Sequence, residues 1–239
     1  MKSLLRATAT ATLALVATSA SNAAFVYGGG IQTGSRFNAG AGAIAYMNCF
    51  TAIDGTGAQT QLALDSAIIG IRRVAASGVL TDVGIRIFAA EMTYDGVNYG
   101  RGANYQIYSS ASLGAGAASV TQLVNTGAVS GVTLNLETLS SVGFGGWWIG
   151  VEFTGTNAAN ASNGWRIMNA PSTGASLNAF GIFDNGGGGV SQTFFTFGLS
   201  PESSPSRLMV DVNGTLVPAP GAFALLGVAG LLGGRRRRS

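Results

Sequence analysis

Any chemistry in this chain has to be done without histidine. The 239 residues contain none, and no lysine follows Lys2. A Ser-His-Asp triad, a Cys-His dyad and histidine-ligated metals are therefore excluded within the chain. Acid–base work would fall to carboxylates, and the only glutamates are Glu91, Glu137, Glu152 and Glu202. Glu152 shares the less apolar face of the segment 147–153 with Trp148. A carboxylate beside an aromatic ring could contact a sugar, although edge solubility or an arginine pair accounts for it more simply. Nothing marks a second carboxylate that would converge on it. A polysaccharide hydrolase is accordingly the weakest functional reading, no catalytic residue is assigned, and the chain is expected not to be an enzyme.

Oxygen-rich turns come next. Asp54-Gly55-Thr56-Gly57, Asp95-Gly96-Val97-Asn98 and Asp184-Asn185-Gly186 carry atoms that can ligate calcium. None has the calcium-loop spacing with a closing glutamate, and Asp-Gly is ordinary turn chemistry. No metal or other cofactor is expected. Glycine runs at Gly28-Gly29-Gly30 and Gly186 to Gly189 precede no helix and no lysine, so they read as loops rather than phosphate cradles. The aromatic residues Trp147, Trp148, Trp165, Tyr99, Tyr105 and Tyr108 could stack on a polysaccharide. On alternating strands half of them must face inward. Trp147 goes with the core, and Trp148, Trp165 and Glu152 remain the ligand-site candidates. Cys49, the single cysteine, sits in the apolar run Ile44 to Phe50. It cannot form an internal disulfide and is expected to be buried.

The bulk charge of +3 and pI of about 9.4 mislead. Lys2, Arg6 and Arg235 to Arg238 belong to the chain ends. What remains is Arg36, Arg72, Arg73, Arg86, Arg101, Arg166 and Arg207 against ten carboxylates, a body charge of 7 − 10 = −3. An electrostatic case for nucleic acid is missing.

Both ends read as addresses. In residues 1–23, Lys2 and Arg6 precede an apolar core around Leu13 to Ala17, and Ser21-Asn22-Ala23 supplies small residues before a cut. This is the pattern of a secretory signal peptide, with cleavage expected between Ala23 and Ala24. At the other end, Val217-Pro218-Ala219-Pro220-Gly221 leads into an uncharged run to Gly234 and then Arg235-Arg236-Arg237-Arg238-Ser239. The prolines allow a helix only after them. Gly221 to Gly234 would span roughly 21 Å as a helix, short of the ~30 Å hydrocarbon core, and the arginines favour a cytoplasmic end.

This tail resembles the PEP-CTERM sorting signal, with Ala219 where the name-giving motif has Glu. The resemblance covers residues 217–239 only. It implies that an exosortase-type membrane protease recognises the Pro-x-Pro element and removes the helix and basic tail during export. It further implies a transient stay in the inner membrane, a destination at the cell surface or extracellular matrix, and company with exopolysaccharide. A permanent tail anchor is the alternative.

The body that these addresses would deliver, residues 24–213, reads as strands separated by turns. Val83, Ile85 and Ile87 alternate with Gly84, Arg86 and Phe88. Val132, Leu134 and Leu136 repeat the pattern, and Trp147 to Phe153 is its clearest case. Only Gln59 to Ile69 hints at a helical turn or two. About nine or ten short strands suggest an all-β fold, an antiparallel β-sandwich of jelly-roll type. Residues 214–239 are assigned to the sorting signal, and Asn213-Gly214 reads as a hairpin turn or as the start of a tether. The functional expectation is a structural or adhesive surface protein, with a carbohydrate-binding module as the alternative.

Overall fold

The computed structural model describes residues 24–29, 32–53, 59–75, 78–96, 99–139, 143–160, 162–168, 171–175, 181–184, 190–191 and 207–218, and every regular element among them is a β-strand. In chain order these are β1 (Ala24–Tyr27), β2 (Gln32–Phe37), β3 (Ile44–Ala52), β4 (Gln59–Arg73) and β5 (Gly84–Tyr94). Then come β6 (Tyr99–Ser110), β7 (Val120–Asn125), β8 (Thr133–Asn135), β9 (Glu137–Leu139) and β10 (Phe144–Thr154). The last are β11 (Asn163–Met168), β12 (Gly181–Asp184), β13 (Val190–Ser191), β14 (Arg207–Leu208) and β15 (Val210–Pro218). Among the described residues no helix is long and apolar enough to cross a membrane. The expected signal peptide, and the expected apolar helix with its arginines, lie outside the described residues.

The strands form two antiparallel sheets. The eight-stranded one runs β1-β15-β4-β11-β14, with β2 on β11 and with β7 and β8 on β4. The seven-stranded one runs β13-β12-β3-β10-β5-β6, with β9 on β10. Successive strands often belong to different sheets: β3 to the second, β4 to the first, β5 and β6 to the second, β7 and β8 to the first again. The two inward faces share one core. Leu62, Ile69, Ile71, Trp165, Val210 and Val212 come from the first sheet; Met47, Cys49, Ile85, Ile87, Trp147 and Ile149 come from the second. Burying each such side chain contributes about 1.5–3 kcal/mol.

The period-two readings hold where the register is regular. On β10, Trp147, Ile149, Val151 and Phe153 join the inter-sheet core, while Gly146, Trp148, Gly150 and Glu152 face the other way. The helical hint at Gln59 to Ile69 is overturned, because those residues open the longest strand, β4. The cause is a bulge. Asn213 pairs with Ser66 but Gly214 with Leu64, which leaves Asp65 as an extra residue. The buried positions therefore run Leu62, Leu64, Ala67, Ile69, Ile71. The three-residue step in the middle imitates helical spacing.

Candidate functional site

Val210-Asp211-Val212-Asn213-Gly214-Thr215-Leu216-Val217-Pro218 carries the first half of the tail motif, and it is an interior strand. It lies between β1 and β4. Val210 and Val212 are fully buried, and Leu216 packs against the core. Asn213-Gly214 is neither a hairpin turn nor a tether; it sits at the mid-strand bulge, and the sheet continues past residue 213 to Pro218. Glycine is required there by close approach. A Cβ on Gly214 would stand 2.7 Å from the Ala63 carbonyl oxygen and 2.8 Å from a Leu62 methyl. Asn213 Nδ2 donates to Ser66 Oγ at 3.2 Å, which pins the bulge from the side.

At the top of this strand Val217 stands opposite Gln61 and Pro218 opposite Gln59, with a second register shift between them. Proline has no N–H to give the ladder, so a strand end beside a bulge suits it. On the other flank β1 begins at Ala24, paired with Gly214. Because β1 and β15 are antiparallel, the backbone entering at Ala24 and the backbone leaving at Pro218 pass through the same pole of the sheet. Pro218 is only 218 − 214 = 4 positions past the partner of Ala24, about 14 Å at strand rise. Ala23, Ala219, Pro220, Gly221 and Arg235, Arg236, Arg237 and Arg238 lie outside the described residues.

The expected ligand-site aromatics are located differently from the sequence reading. Trp148 and Trp165, the candidates for exposure, are each about 1% exposed. Trp165 points into the inter-sheet core and donates Nε1–H to the Met209 carbonyl at 2.8 Å. Trp148 faces away from that core but is covered by a second apolar cluster with Tyr46, Phe50, Phe88 and Met92. Its strand neighbours on that face are Gly146 and Gly150. A Cβ at Gly150 would meet the Tyr46 ring at 2.5 Å, and one at Gly146 would come within 2.9 Å of the Phe50 ring. The two glycines thus let flanking rings lie down beside the indole. Trp148 Nε1–H donates to the Gly100 carbonyl of β6 at 2.9 Å, and Arg101 of the same strand stands 5.3 Å over the Tyr46 ring.

Glu152 is buried, and its Oε1 accepts from Arg86 Nη2 at 2.8 Å across the β10–β5 pair. Of the two simpler readings, edge solubility and an arginine pair, the structure has the arginine pair. Trp148 and Glu152 are thus on the outer face of one sheet and Trp165 is inside the other, and the three do not form a joint surface. Sequence reading named Tyr99 but missed its partner Tyr94; the two rings stack at 4.6 Å beside the Asp95-Gly96 turn, Tyr94 being 39% exposed. Burial, and secondarily the neighbouring Tyr94, raises the Tyr99 phenol above its ordinary range.

At the far end of β4, Arg73 is buried and fully engaged. Nε donates to Asn163 Oδ1, Nη1 to the Leu113 carbonyl, and Nη2 to the carbonyls of Thr81 and Gly114. An open cleft of about 430 Å³ adjoins it, lined by Leu80, Leu113, Ala118, Val120 and Gln122 among others. Its lining has no nucleophile–base pair. Cys49 is buried as expected, and burial pushes its thiol well above the usual range. Among the described residues no three His, Cys, Asp or Glu side chains gather as a metal would require. Of the oxygen-rich turns, residues 54–58, 97–98 and 185–189 lie outside the described set. No family model, no curated protein and no solved structure matches this chain.

Proposed function

We propose that this chain is an exported, non-enzymatic protein of the cell surface or extracellular matrix. An all-β body, read as a jelly-roll-type sandwich, is carried between two removable addresses. The signal peptide directs secretion, and the tail holds the protein at the inner membrane until an exosortase-type protease cuts near Pro218-Ala219-Pro220. The role of the released body is structural or adhesive, in company with exopolysaccharide.

The observation that carries this reading is the shared pole. Among the described residues β1 opens at Ala24, next to the expected signal cleavage, and β15 runs into the sorting motif at Val217 and Pro218, antiparallel to β1 in the same sheet. Cuts after Ala23 and beyond Pro218 would leave every described strand in the body. The frequent passage of the chain between the two sheets supports the jelly-roll reading. Burial of Trp148 and Trp165 and the pairing of Glu152 weigh against a carbohydrate site or hydrolase built on those residues.

Mass spectrometry of the extracellular form tests the reading. The expected species starts at Ala24 and ends at or beyond Pro218, without the arginine tail. An extracellular species that retains Arg235 to Ser239 would sink the sorting claim.

A further inference from the structure

One side of β7 (Val120–Asn125) is open. Among the described residues this strand pairs with β4 alone, from Ile68↔Asn125 to Arg73↔Val120, without a register shift. The phase of the ladder is set just past its end, where the Thr126 amide donates to the Ala67 carbonyl at 2.9 Å. Bonded residues alternate along an antiparallel pair, so Val124, Gln122 and Val120 turn their amides and carbonyls toward β4. Those of Thr121, Leu123 and Asn125 turn toward the open side. Leu123 stands opposite Gly70, which offers it no cross-strand side chain, and it is 55% exposed.

Proteins ordinarily blunt such an edge with charge, proline, a bulge or a covering group. Two other edges of this fold are blunted in that way. β8 lies in line with β7 along the same side of β4, and its outward Asn135 amide is capped by Glu91 Oε1 at 3.0 Å. β6, at the edge of the second sheet, is bulged twice against β5 and carries Arg101. β7 has none of these devices: Val-Thr-Gln-Leu-Val-Asn is uncharged, free of proline and regularly paired.

We infer that β7 is a self-association edge, to which a second copy of this chain adds its own β7, antiparallel, across a two-fold axis at Leu123. The register is self-complementary. With Leu123 opposite its own counterpart, Thr121 falls opposite the counterpart of Asn125, and Asn125 opposite that of Thr121. Every outward amide then meets an outward carbonyl. Neither strand brings a charge to the contact, and the two exposed leucines share one face at the axis, where cross-strand apolar pairs stabilise. A six-residue edge is about 20 Å long, so the contact falls short of the ~1,600 Å² of a standard stable interface. The pairing is therefore reversible and concentration-dependent, and it joins two eight-stranded sheets into one. It accords with a structural role but does not rest on the export reading.

Sedimentation of the purified full chain over a range of concentrations tests the edge. The weight-average mass should rise from monomer to dimer and stop there. Leu123→Lys sets like charges face to face at the axis and should weaken dimerisation about tenfold or more. Leu123→Glu should do the same, and an equimolar mixture of the two variants should dimerise again, because opposite charges then meet. Thermal melts at low concentration should leave both variants like the parent, since the side chain is exposed. Leu123→Cys reads the register directly. Paired Cα atoms about 5.5 Å apart lie within disulfide range, so mild oxidation should cross-link two copies. Ser109→Cys, at an exposed position of β6, should stay uncross-linked, and the buried Cys49 does not compete. A chain that stays monomeric at every concentration, association that ignores the charge at position 123, or a Leu123→Cys protein that forms no cross-link would each overturn the proposal.

Discussion

Ala24 stands directly across from Gly214, so the entry to the first strand and the far half of the last strand are neighbours in one sheet. The residues just before the sorting motif are therefore part of the fold. Gly214 is a tight point of this arrangement, with the Ala63 carbonyl oxygen 2.7 Å from an added Cβ. Gly214→Ala should lower stability by about 1–3 kcal/mol through overpacking, a fall in Tm of roughly 3–10 °C for a body of this size. Gly116→Ala, where the nearest atom would be 3.9 Å away, is the control and should melt like the parent. Equal melting of the two variants would show that the strand does not pack as described.

The second apolar cluster makes Trp148 a folding residue. Trp148→Ala removes a buried indole that is flanked by two glycines and cannot be replaced by collapse of larger neighbours, so about 3–5 kcal/mol should be lost. Trp165→Phe is milder. It removes one donor to the Met209 carbonyl, which still accepts from the Gly70 amide, and about 1–2 kcal/mol is expected with the smaller ring. Denaturant titration of both variants checks the order. A Trp148→Ala protein as stable as its parent would return Trp148 to the list of surface candidates.

These two regions show what could and could not be seen beforehand. The alternation at Trp147 to Phe153 was legible because β10 is paired without a slip along both neighbours, so period two survives intact. β4 was not legible because Asp65 interrupts the period, and a bulge is a property of the pair rather than of either strand. Exposure of Trp148 was misjudged for a related reason. Sequence gives the face on which a side chain lies, and here the face turned away from the main core has a small core of its own. The grouping of Arg36 on β2, Arg166 on β11 and Arg72 on β4 was beyond reach. Arg36, Arg72 and Arg166 are far apart in the chain, and only pairing makes them neighbours.

Cys49 gives a prediction about access. Its thiol is fully buried, and burial raises its pKa, the Tyr27 side chain opposing this only in part. A thiol reagent should leave the folded protein unlabelled and label it stoichiometrically in denaturant, since the thiolate is the reactive form. The linkage has a definite sign. The folded thiol has the higher pKa, so its contribution to stability is complete below the unfolded value of about 8.5 and declines as pH rises above it. Cys49→Ala should therefore show a smaller alkaline loss of Tm than the parent. Rapid labelling of the native protein would contradict the burial.

Arg73 and Asp82 supply the corresponding test in acid. Asp82 is held below the usual carboxylate range first by the Ser112 hydroxyl; desolvation, next in size, opposes this, and the amides of Val83 and Gly114 and the charge of Arg73 add smaller lowering effects. Its folded pKa lies below the unfolded one. The stability it contributes is thus present above about pH 3.9 and is lost as pH falls through the folded value. Arg73 itself is charged throughout, since burial lowers its pKa from a value far above this range. Asp82→Asn should melt below the parent at neutral pH, and the gap should narrow as pH falls below the unfolded value of about 3.9. Arg73→Met strips donors from three carbonyls and from Asn163, so it should cost about 3–5 kcal/mol. Arg86→Met, at a pair whose arginine is 43% exposed but whose carboxylate is buried, leaves Glu152 without its donor and should cost about 1–3 kcal/mol. Melting curves of the three variants across pH check both statements. A gap between Asp82→Asn and parent that stays constant from neutral to acid pH would mean that the carboxylate's charge does not hold the Leu113–Gly114 loop to the end of β4.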